Sequence, residues 1–121
     1  MKFIRFASPN SVQPMYFSIV IPLYNRPDEL DELLESLCKQ NYDSFEVIVA
    51  EDGSTLKGDQ VVQRYADRLN INYFEKNNSG PGLTRNAGAA IAKGDYLIFF
   101  DSDCIIPPHY LSTVFAYLET S

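Results

Sequence analysis

The sequence has few of the residues on which several classes of protein depend. Cys38 and Cys104 are its only cysteines, which is too few for a disulfide scaffold, and neither belongs to a Cys-x-x-Cys pair. Lys and Arg number 10 against 16 Asp and Glu, a formal net charge of -6, so the clustered basic surface that binds nucleic acid is not expected. No apolar stretch approaches the roughly 18 residues of a membrane span, and no signal-peptide segment follows the first basic residues. These absences favour a soluble, reduced, cytoplasmic domain.

The chain does have the pattern of a layered α/β fold. Its 121 residues, 45% of them hydrophobic, suffice for one domain with a core of its own. Strand-like runs alternate with helical patterns, which is typical of stacked βαβ units, and the nearly continuous apolar runs are typical of strands covered on both faces. An open, mostly parallel sheet with helices on both faces is therefore expected. The predicted strands are residues 17–23, 45–50, 71–75 and 96–100.

Apolar residues between these runs recur with the spacing of amphipathic helices. The stripe between the first two runs includes Cys38, which is therefore predicted to pack in the core. Pro27 suits the first position of that helix. Residues 1–15 are expected to be a loosely held arm, followed by a single domain over 16–121. The stripes comprise Leu30, Leu33, Leu34, Leu37 and Cys38; Val61, Val62, Tyr65, Ala66 and Leu69; Leu83 to Ala92; and Leu111, Val114, Phe115 and Leu118.

Polar and ionisable residues follow all four predicted strands. Ligands of open α/β sheets bind beyond the carboxyl ends of the strands, so these residues are expected to meet in one site. The segments are Pro22-Leu23-Tyr24-Asn25-Arg26, Glu51-Asp52-Gly53-Ser54, Asn77 to Gly82 with Arg85 and Asn86, and Asp101-Ser102-Asp103.

The fourth segment has the chemistry of a divalent-cation site. In an extended backbone residues i and i+2 point to the same side, so Asp101 and Asp103 are expected to aim at one spot while Ser102 points away. Mg²⁺ and Mn²⁺ prefer carboxylate oxygens and fill their other positions with phosphate and water. The alternative is an acidic turn at the end of a strand, since Asp and Ser are common in turns.

Together, these segments resemble the ordered motifs of family 2 glycosyltransferases with the GT-A fold, over about residues 16 to 119. The resemblance implies an inverting hexosyltransferase of polysaccharide biosynthesis that uses a nucleotide-diphosphate sugar, with UDP expected, and Mn²⁺ or Mg²⁺ at a DXD motif. It also implies a saccharide or lipid-linked acceptor. Family members usually continue past this length, so an acceptor-binding half with the catalytic base is expected beyond residue 121. Membrane association is expected only through such segments, at the inner face of a membrane. The motifs are Ser18 to Asn25, Glu51 to Ser54, Gly80 to Gly88 and Asp101 to Asp103.

The resemblance also suggests which residues hold the nucleotide base. Tyr24 offers an aromatic face for stacking, worth about 1 to 3 kcal/mol in comparable sites, and its neighbours Pro22 and Asn25 are placed beside the base. Asp52 is similar in position to the acid that accepts a hydrogen bond from the base. The preceding Glu51 departs from the family, which more often has Asp there. A turn with the following glycine is the alternative for both acids.

The remaining candidates concern the phosphates and the metal. Arg85 rises from the start of a helix whose dipole favours anions and is assigned to the diphosphate or ribose; pairing with Asp101 or Asp52 is the structural alternative. Asp101 is expected near the ribose and the metal, and Asp103 is expected to ligate the metal directly. The single histidine, His109, is expected to be solvated or paired rather than a ligand.

Two other functions remain open from the sequence. One is a non-catalytic nucleotide-binding module derived from a transferase. The other is a nucleotidyltransferase on a related fold, although its glycine-rich loop would be expected after the first strand, where Tyr24-Asn25-Arg26 lies. A nicotinamide-binding domain is disfavoured, because its glycine motif should also follow the first strand.

Overall fold

The computed structural model describes residues 3–5 and 15–120 and shows one sheet flanked by helices on both faces. The five strands stand in the order β1-β5-β2-β3-β4. In chain order the elements are β1 (Phe3–Arg5), β2 (Phe17–Leu23), α1 (Pro27–Cys38), β3 (Phe45–Asp52), α2 (Asp59–Tyr65), β4 (Ile71–Lys76), α3 (Pro81–Ala90), β5 (Tyr96–Phe99) and α4 (Tyr110–Glu119).

Strands β2 to β5 run parallel, and the chain reverses its direction of travel across the sheet at β2. From β2 it moves outward through β3 to β4, and it then returns to place β5 on the other side of β2. This change of direction makes the crevice beyond the carboxyl ends of β2 and β5 the expected ligand site. The predicted parallel α/β architecture is confirmed, with β3 two residues longer than its apolar run.

The two faces of the sheet bury different clusters. The larger one places Phe17, Ile19 and Ile21 of β2 against α1, α2 and α4. The smaller one places Val20 and its neighbours on β3 and β5 against α3. Alternate residues of β2 therefore pack into the clusters on opposite faces of the sheet, which explains why β2 has no polar face. Cys38 packs at the edge of the larger cluster, as predicted.

The N-terminal region differs in part from the expected arm. Phe3–Arg5 pairs antiparallel with β5 and adds an edge strand to the sheet. Residues 1–2 and 6–14 lie outside the described part of the chain, so the expectation of an arm is not addressed there. Within residues 3–5 and 15–120, no helix combines the length and the apolar character needed to cross a bilayer.

The packing of α3 on the sheet depends on a glycine. A Cβ on Gly88 would lie 2.5 Å from Val20 Cγ1, whereas one on Gly82 of the same helix would meet nothing within 4 Å. We expect Gly88→Ala to lower the unfolding free energy by about 1 to 3 kcal/mol because the helix must move off the sheet. Gly82→Ala is the matched control and should leave stability unchanged or raise it by up to about 1 kcal/mol. Urea unfolding of both variants measures the difference, and equal effects would contradict this packing.

Candidate functional site

A pocket of about 470 Å³ opens at the carboxyl ends of β2, β3 and β5 and at the start of α3. It therefore occupies the crevice that the strand order predicts. Four of the expected site residues line it together. The lining residues are Pro22, Leu23, Tyr24, Asp52, Asn78, Gly80, Pro81, Asp101 and Ser102.

One wall of the pocket is an aromatic ring that the protein leaves uncovered. Tyr24 follows the last residue of β2 and is 54% exposed, although β2 itself is buried. An exposed ring beside Pro22 and Leu23 provides an apolar surface on which a planar ligand can stack. The structure therefore places Tyr24 where the sequence expected it.

Asn25 holds the loop behind this wall. It adopts a left-handed backbone conformation with φ of 55°, which Asn tolerates better than most residues. Its amide oxygen accepts hydrogen bonds from the N–H groups of Thr55 at 2.8 Å and Leu56 at 2.9 Å. Its own backbone N–H donates to Ser54 Oγ at 2.8 Å. The side-chain oxygen of Asn25 is thus used within the protein, and its assignment to substrate stays a prediction.

Asp52 ends β3 and organises the loop between β4 and α3. One of its carboxylate oxygens accepts from Ser79 N–H at 2.9 Å and from Lys76 Nζ at 3.2 Å, and the other accepts from Gly80 N–H at 3.0 Å. Burial raises the pKa of this carboxyl, but the hydrogen bonds from Ser79, Lys76 and Gly80 outweigh burial and hold the pKa below its usual range. Asp52 lies in the pocket wall as predicted, and it also fixes the loop that faces Tyr24.

Glu51, whose role the sequence left undefined, is a buried loop anchor. Its side chain is 0% exposed. One oxygen accepts from Gly58 N–H at 2.7 Å and from Tyr73 OH at 2.8 Å, and the other accepts from Ser54 Oγ at 2.5 Å. Ser54 Oγ also accepts the hydrogen bond from the N–H of Asn25, the residue after Tyr24. Glu51 therefore stabilises the loop of Tyr24 through Ser54. The sequence indicated this anchor only by the glutamate directly before Asp52, at a position where the family more often has aspartate.

The Asp-Ser-Asp segment is a turn, so the expected extended geometry was wrong. Strand β5 ends at Phe99, and Cys104 N–H donates to Asp101 O at 3.1 Å, which closes a turn over residues 101–104. Ser102 does not point away unused, because its hydroxyl donates to Glu29 Oε1 at 2.8 Å. The chain is still covered at Phe100, which is 5% exposed in the larger cluster. From Asp101 onward, hydrogen bonding within the turn sets the backbone. Asp101 and Asp103 are both exposed on this turn.

Arg85 pairs with one of these acids, although Arg85 is not among the residues that line the pocket. Its Nη2 lies 3.1 Å from Asp101 Oδ1. The pairing that the sequence left open is therefore present. Arg85 is the fifth residue of α3 and lies in its second turn, one turn beyond the helix start where the dipole favours negative charge. Both partners are solvent-accessible, so the pair is weak and an anionic ligand can compete for the guanidinium.

His109 lies at the start of α4 and does not line the pocket. Its Nδ1 is 2.8 Å from Asn41 Nδ2. This agrees with the expectation that the single histidine is paired rather than a ligand.

The donor set of the turn fits a hard divalent cation. Asp101 and Asp103 supply exposed carboxylates two positions apart, and Mg²⁺ or Mn²⁺ takes one or two protein carboxylates while phosphate and water complete its shell. Among residues 3–5 and 15–120 no group of three or more metal-ligating side chains occurs. The turn therefore suits a cation shared with a phosphate ligand and does not form a closed structural metal site.

The family model and two curated relatives that match this chain all describe glycosyltransferases. The model of the family "Glycosyl transferase family 2" matches residues 18–121. The poly(ribitol-phosphate) beta-N-acetylglucosaminyltransferase TarS of Staphylococcus aureus is 38% identical over 109 residues, covering 87% of this chain and 19% of TarS. The validoxylamine A glucosyltransferase of Streptomyces hygroscopicus subsp. jinggangensis is 40% identical over 103 residues, covering 82% of this chain and 24% of that enzyme. This chain thus spans about a fifth of the length of these two curated relatives.

Solved structures show the same fold. A crystal structure of S. aureus TarS 1-349 in complex with UDP-GlcNAc matches with a TM-score of 0.83 and 37% identity over 88% of this chain and 32% of that one. The mannosyltransferase PcManGT from Pyrobaculum calidifontis, solved with GDP-Man and Mn²⁺, matches with a TM-score of 0.77 at 22% identity over 96% of this chain and 35% of that one. The expected GT-A fold is confirmed.

Proposed function

The chain belongs to glycosyl transferase family 2, and we propose that it is the donor-binding domain of an inverting glycosyltransferase that uses a UDP-sugar. The observation that carries the proposal is the pocket itself, which sets the uncovered ring of Tyr24 and the buried acid Asp52 beside the exposed acid Asp101. A nucleotide base requires an apolar wall for stacking and a hydrogen-bond acceptor at its edge. A diphosphate requires a positive or metal-bearing end. The TarS structure solved with UDP-GlcNAc, at 37% identity, supports UDP as the nucleotide.

The base-binding end is formed by Tyr24 and Pro22. The uracil ring stacks on Tyr24, and Asp52 is the acceptor for its ring N–H, with the left-handed Asn25 fixing the wall from behind. Stacking of this kind contributes about 1 to 3 kcal/mol per base. Each oxygen of Asp52 already accepts two protein donors, of which Asn78 Nδ2 is the most distant at 3.4 Å. The base N–H therefore takes the place of the Asn78 amide on Asp52.

The phosphate-binding end is formed by the start of α3 and by the Asp-Ser-Asp turn. The helix dipole at the start of α3 and the guanidinium of Arg85 provide positive potential for a diphosphate. Asp101 and Asp103 would hold Mn²⁺ or Mg²⁺ between this turn and the diphosphate. A cation held there would supply positive charge against the negative charge that accumulates on the departing nucleoside diphosphate.

The reaction assigned to the site is attack by an acceptor hydroxyl, on a saccharide or a lipid-linked saccharide, at the anomeric carbon opposite the departing diphosphate. The hydroxyl needs a general base within about 3 Å. In the described pocket Asp52 is bound to its loop and Asp101 to Arg85. Neither is therefore assigned as the base, which we place on residues outside this pocket.

Calorimetric titration of this chain with UDP tests the proposal. We expect UDP to bind in the presence of Mn²⁺ and the affinity to fall by about 10-fold or more when EDTA removes the cation, because the diphosphate then faces two unscreened carboxylates. GDP and CDP are the controls for the base. Absence of UDP binding with Mn²⁺ would overturn the donor-site assignment, unchanged binding in EDTA would overturn the metal site, and a preference for GDP would overturn the assignment of uracil.

A further inference from the structure

The two ends of the pocket are joined by a side chain outside it. Glu29 lies in the first turn of α1 and is only 22% exposed at its side chain. Its Oε1 accepts the hydroxyl of Ser102 at 2.8 Å, and its Oε2 accepts Nη2 of Arg26 at 2.6 Å. Each oxygen of one carboxylate is thus bound to a different segment of the pocket rim.

The first of these segments is the Asp-Ser-Asp turn. Ser102 is its central residue and lines the pocket, and the turn is closed by the hydrogen bond from Cys104 N–H to Asp101 O. Asp101 and Asp103 are exposed on either side of it. Fixing Ser102 therefore fixes the position from which both carboxylates project.

The second segment is the loop that leaves β2. Arg26 follows Tyr24 and Asn25 directly and begins α1, since its carbonyl accepts the N–H of Leu30 at 3.1 Å. Arg26 and the Asp103 carboxylate also attract each other electrostatically, which contributes to a raised pKa of Arg26, although hydrogen bonding and attraction from Glu29 are the larger causes. The hydrogen bond from Arg26 is likewise the main reason that the pKa of Glu29 is lowered, so the carboxylate is charged at neutral pH.

We propose that Glu29 is a positioning residue of the donor site, which holds the Asp-Ser-Asp turn at a fixed place relative to the base-binding wall. The inference rests on the proposed function and adds to it a residue that touches neither base nor phosphate. Partners of this kind, which orient carboxylates without binding the ligand, typically change metal affinity by about 10 to 100-fold when removed.

The chain offers a matched control for this role. Asp28 lies in the same first turn of α1 and carries the same charge, but its oxygen is 4.0 Å from Arg26 Nε and it has no contact with Ser102 among the described residues. Glu29→Ala and Asp28→Ala thus remove the same charge from the same helix start, and only the former breaks the link to the turn.

The experiment measures dissociation constants for UDP with Mn²⁺ by calorimetry and for uridine alone by NMR titration. We expect Glu29→Ala and Ser102→Ala each to raise the UDP constant by about 10-fold and to leave the uridine constant within about twofold, because stacking on Tyr24 does not use the turn. Asp28→Ala should bind UDP like the unmodified chain. Ser102→Thr keeps the hydroxyl and should therefore bind UDP like the unmodified chain, in contrast to Ser102→Ala.

The double variant Glu29→Ala/Ser102→Ala should lose no more than the larger single variant, since both changes break one link. Unmodified UDP binding in Glu29→Ala, or an equal loss in Asp28→Ala, would overturn the positioning role while the donor site stands. If the unmodified chain binds no UDP with Mn²⁺, the proposed function fails and the positioning role falls with it.

Discussion

Replacing Asp103 by asparagine is expected to remove at least about half of the stabilisation that Mn²⁺ and UDP together give this chain. A ligand that binds only the folded state stabilises it by about 2.7 kcal/mol at 100 times its dissociation constant, which corresponds to a rise in melting temperature of roughly 10 °C for a domain of this length. Asparagine keeps the shape of the side chain but lacks the charge that a hard cation requires. Because Asp103 is exposed on the turn, the change should shift the stability of the ligand-free protein by no more than about 0.5 kcal/mol.

Melting curves with and without Mn²⁺ and UDP measure this effect. Asp67→Asn is the control, since it removes the same charge from an exposed position outside the pocket and should keep the full ligand-induced rise. UDP with EDTA should stabilise the unmodified protein and the Asp103→Asn variant to the same reduced extent. If Asp103→Asn keeps the full rise with Mn²⁺ and UDP, the carboxylate pair is only an acidic turn, and the metal-dependent part of the proposed function is wrong.

Replacing Glu51 by alanine is expected to produce the largest loss of folding stability among single changes near the site. Its buried carboxylate accepts hydrogen bonds from Ser54, Gly58 and Tyr73. Alanine leaves two buried donors, on Ser54 and Gly58, without this partner, whereas Tyr73 is half-buried. Each buried donor without a partner costs about 1 to 3 kcal/mol. We therefore expect the unfolding free energy to fall by at least about 2 kcal/mol, which is a substantial part of the 5 to 15 kcal/mol typical of a domain.

Glu75 is the matched control for this change. It stands opposite Glu51 in the register of β3 and β4, but its side chain is 47% exposed and pairs with Lys57 at 2.7 Å on the surface. Glu75→Ala should cost less than about 1 kcal/mol, as surface ion pairs do. Urea unfolding curves of the two variants give the comparison, and similar losses would show that Glu51 does not anchor the loop. Uridine affinity should also fall in Glu51→Ala, since the chain from Glu51 through Ser54 to Asn25 supports Tyr24.

The layers of the fold and the location of the site were predictable because they follow from local pattern. Strands buried on both faces must be apolar throughout, so β2, β3 and β5 could be located to within two residues. Since parallel strands place their carboxyl ends at one edge, the polar residues that follow them had to meet there. Tyr24, Asp52 and Asp101 do meet in one pocket.

The geometry of the Asp-Ser-Asp segment was not predictable by the same reasoning. The alternation of side chains in an extended strand applies only while the strand continues, and β5 ends at Phe99. Sequence pattern locates a strand end less well than a strand, because the apolar run continues through the buried Phe100 although the strand does not. The hydroxyl of Ser102, for which the sequence predicted only a direction away from the metal, has a partner on α1.

The sequence by itself determined the fold class, the strand-end position of the site and the kinds of side chain that meet there, because hydrophobic pattern and residue chemistry are local properties. Only the tertiary structure decided what each polar group binds. Glu51 and Asp52 are adjacent in sequence, yet one anchors the loop before α2 and the other the loop before α3. Ser102 and Glu29 meet from positions 73 residues apart. Such pairs depend on which loops the packed strands and helices bring together, and that arrangement is fixed by burial of the whole core rather than by the residues that form the pair.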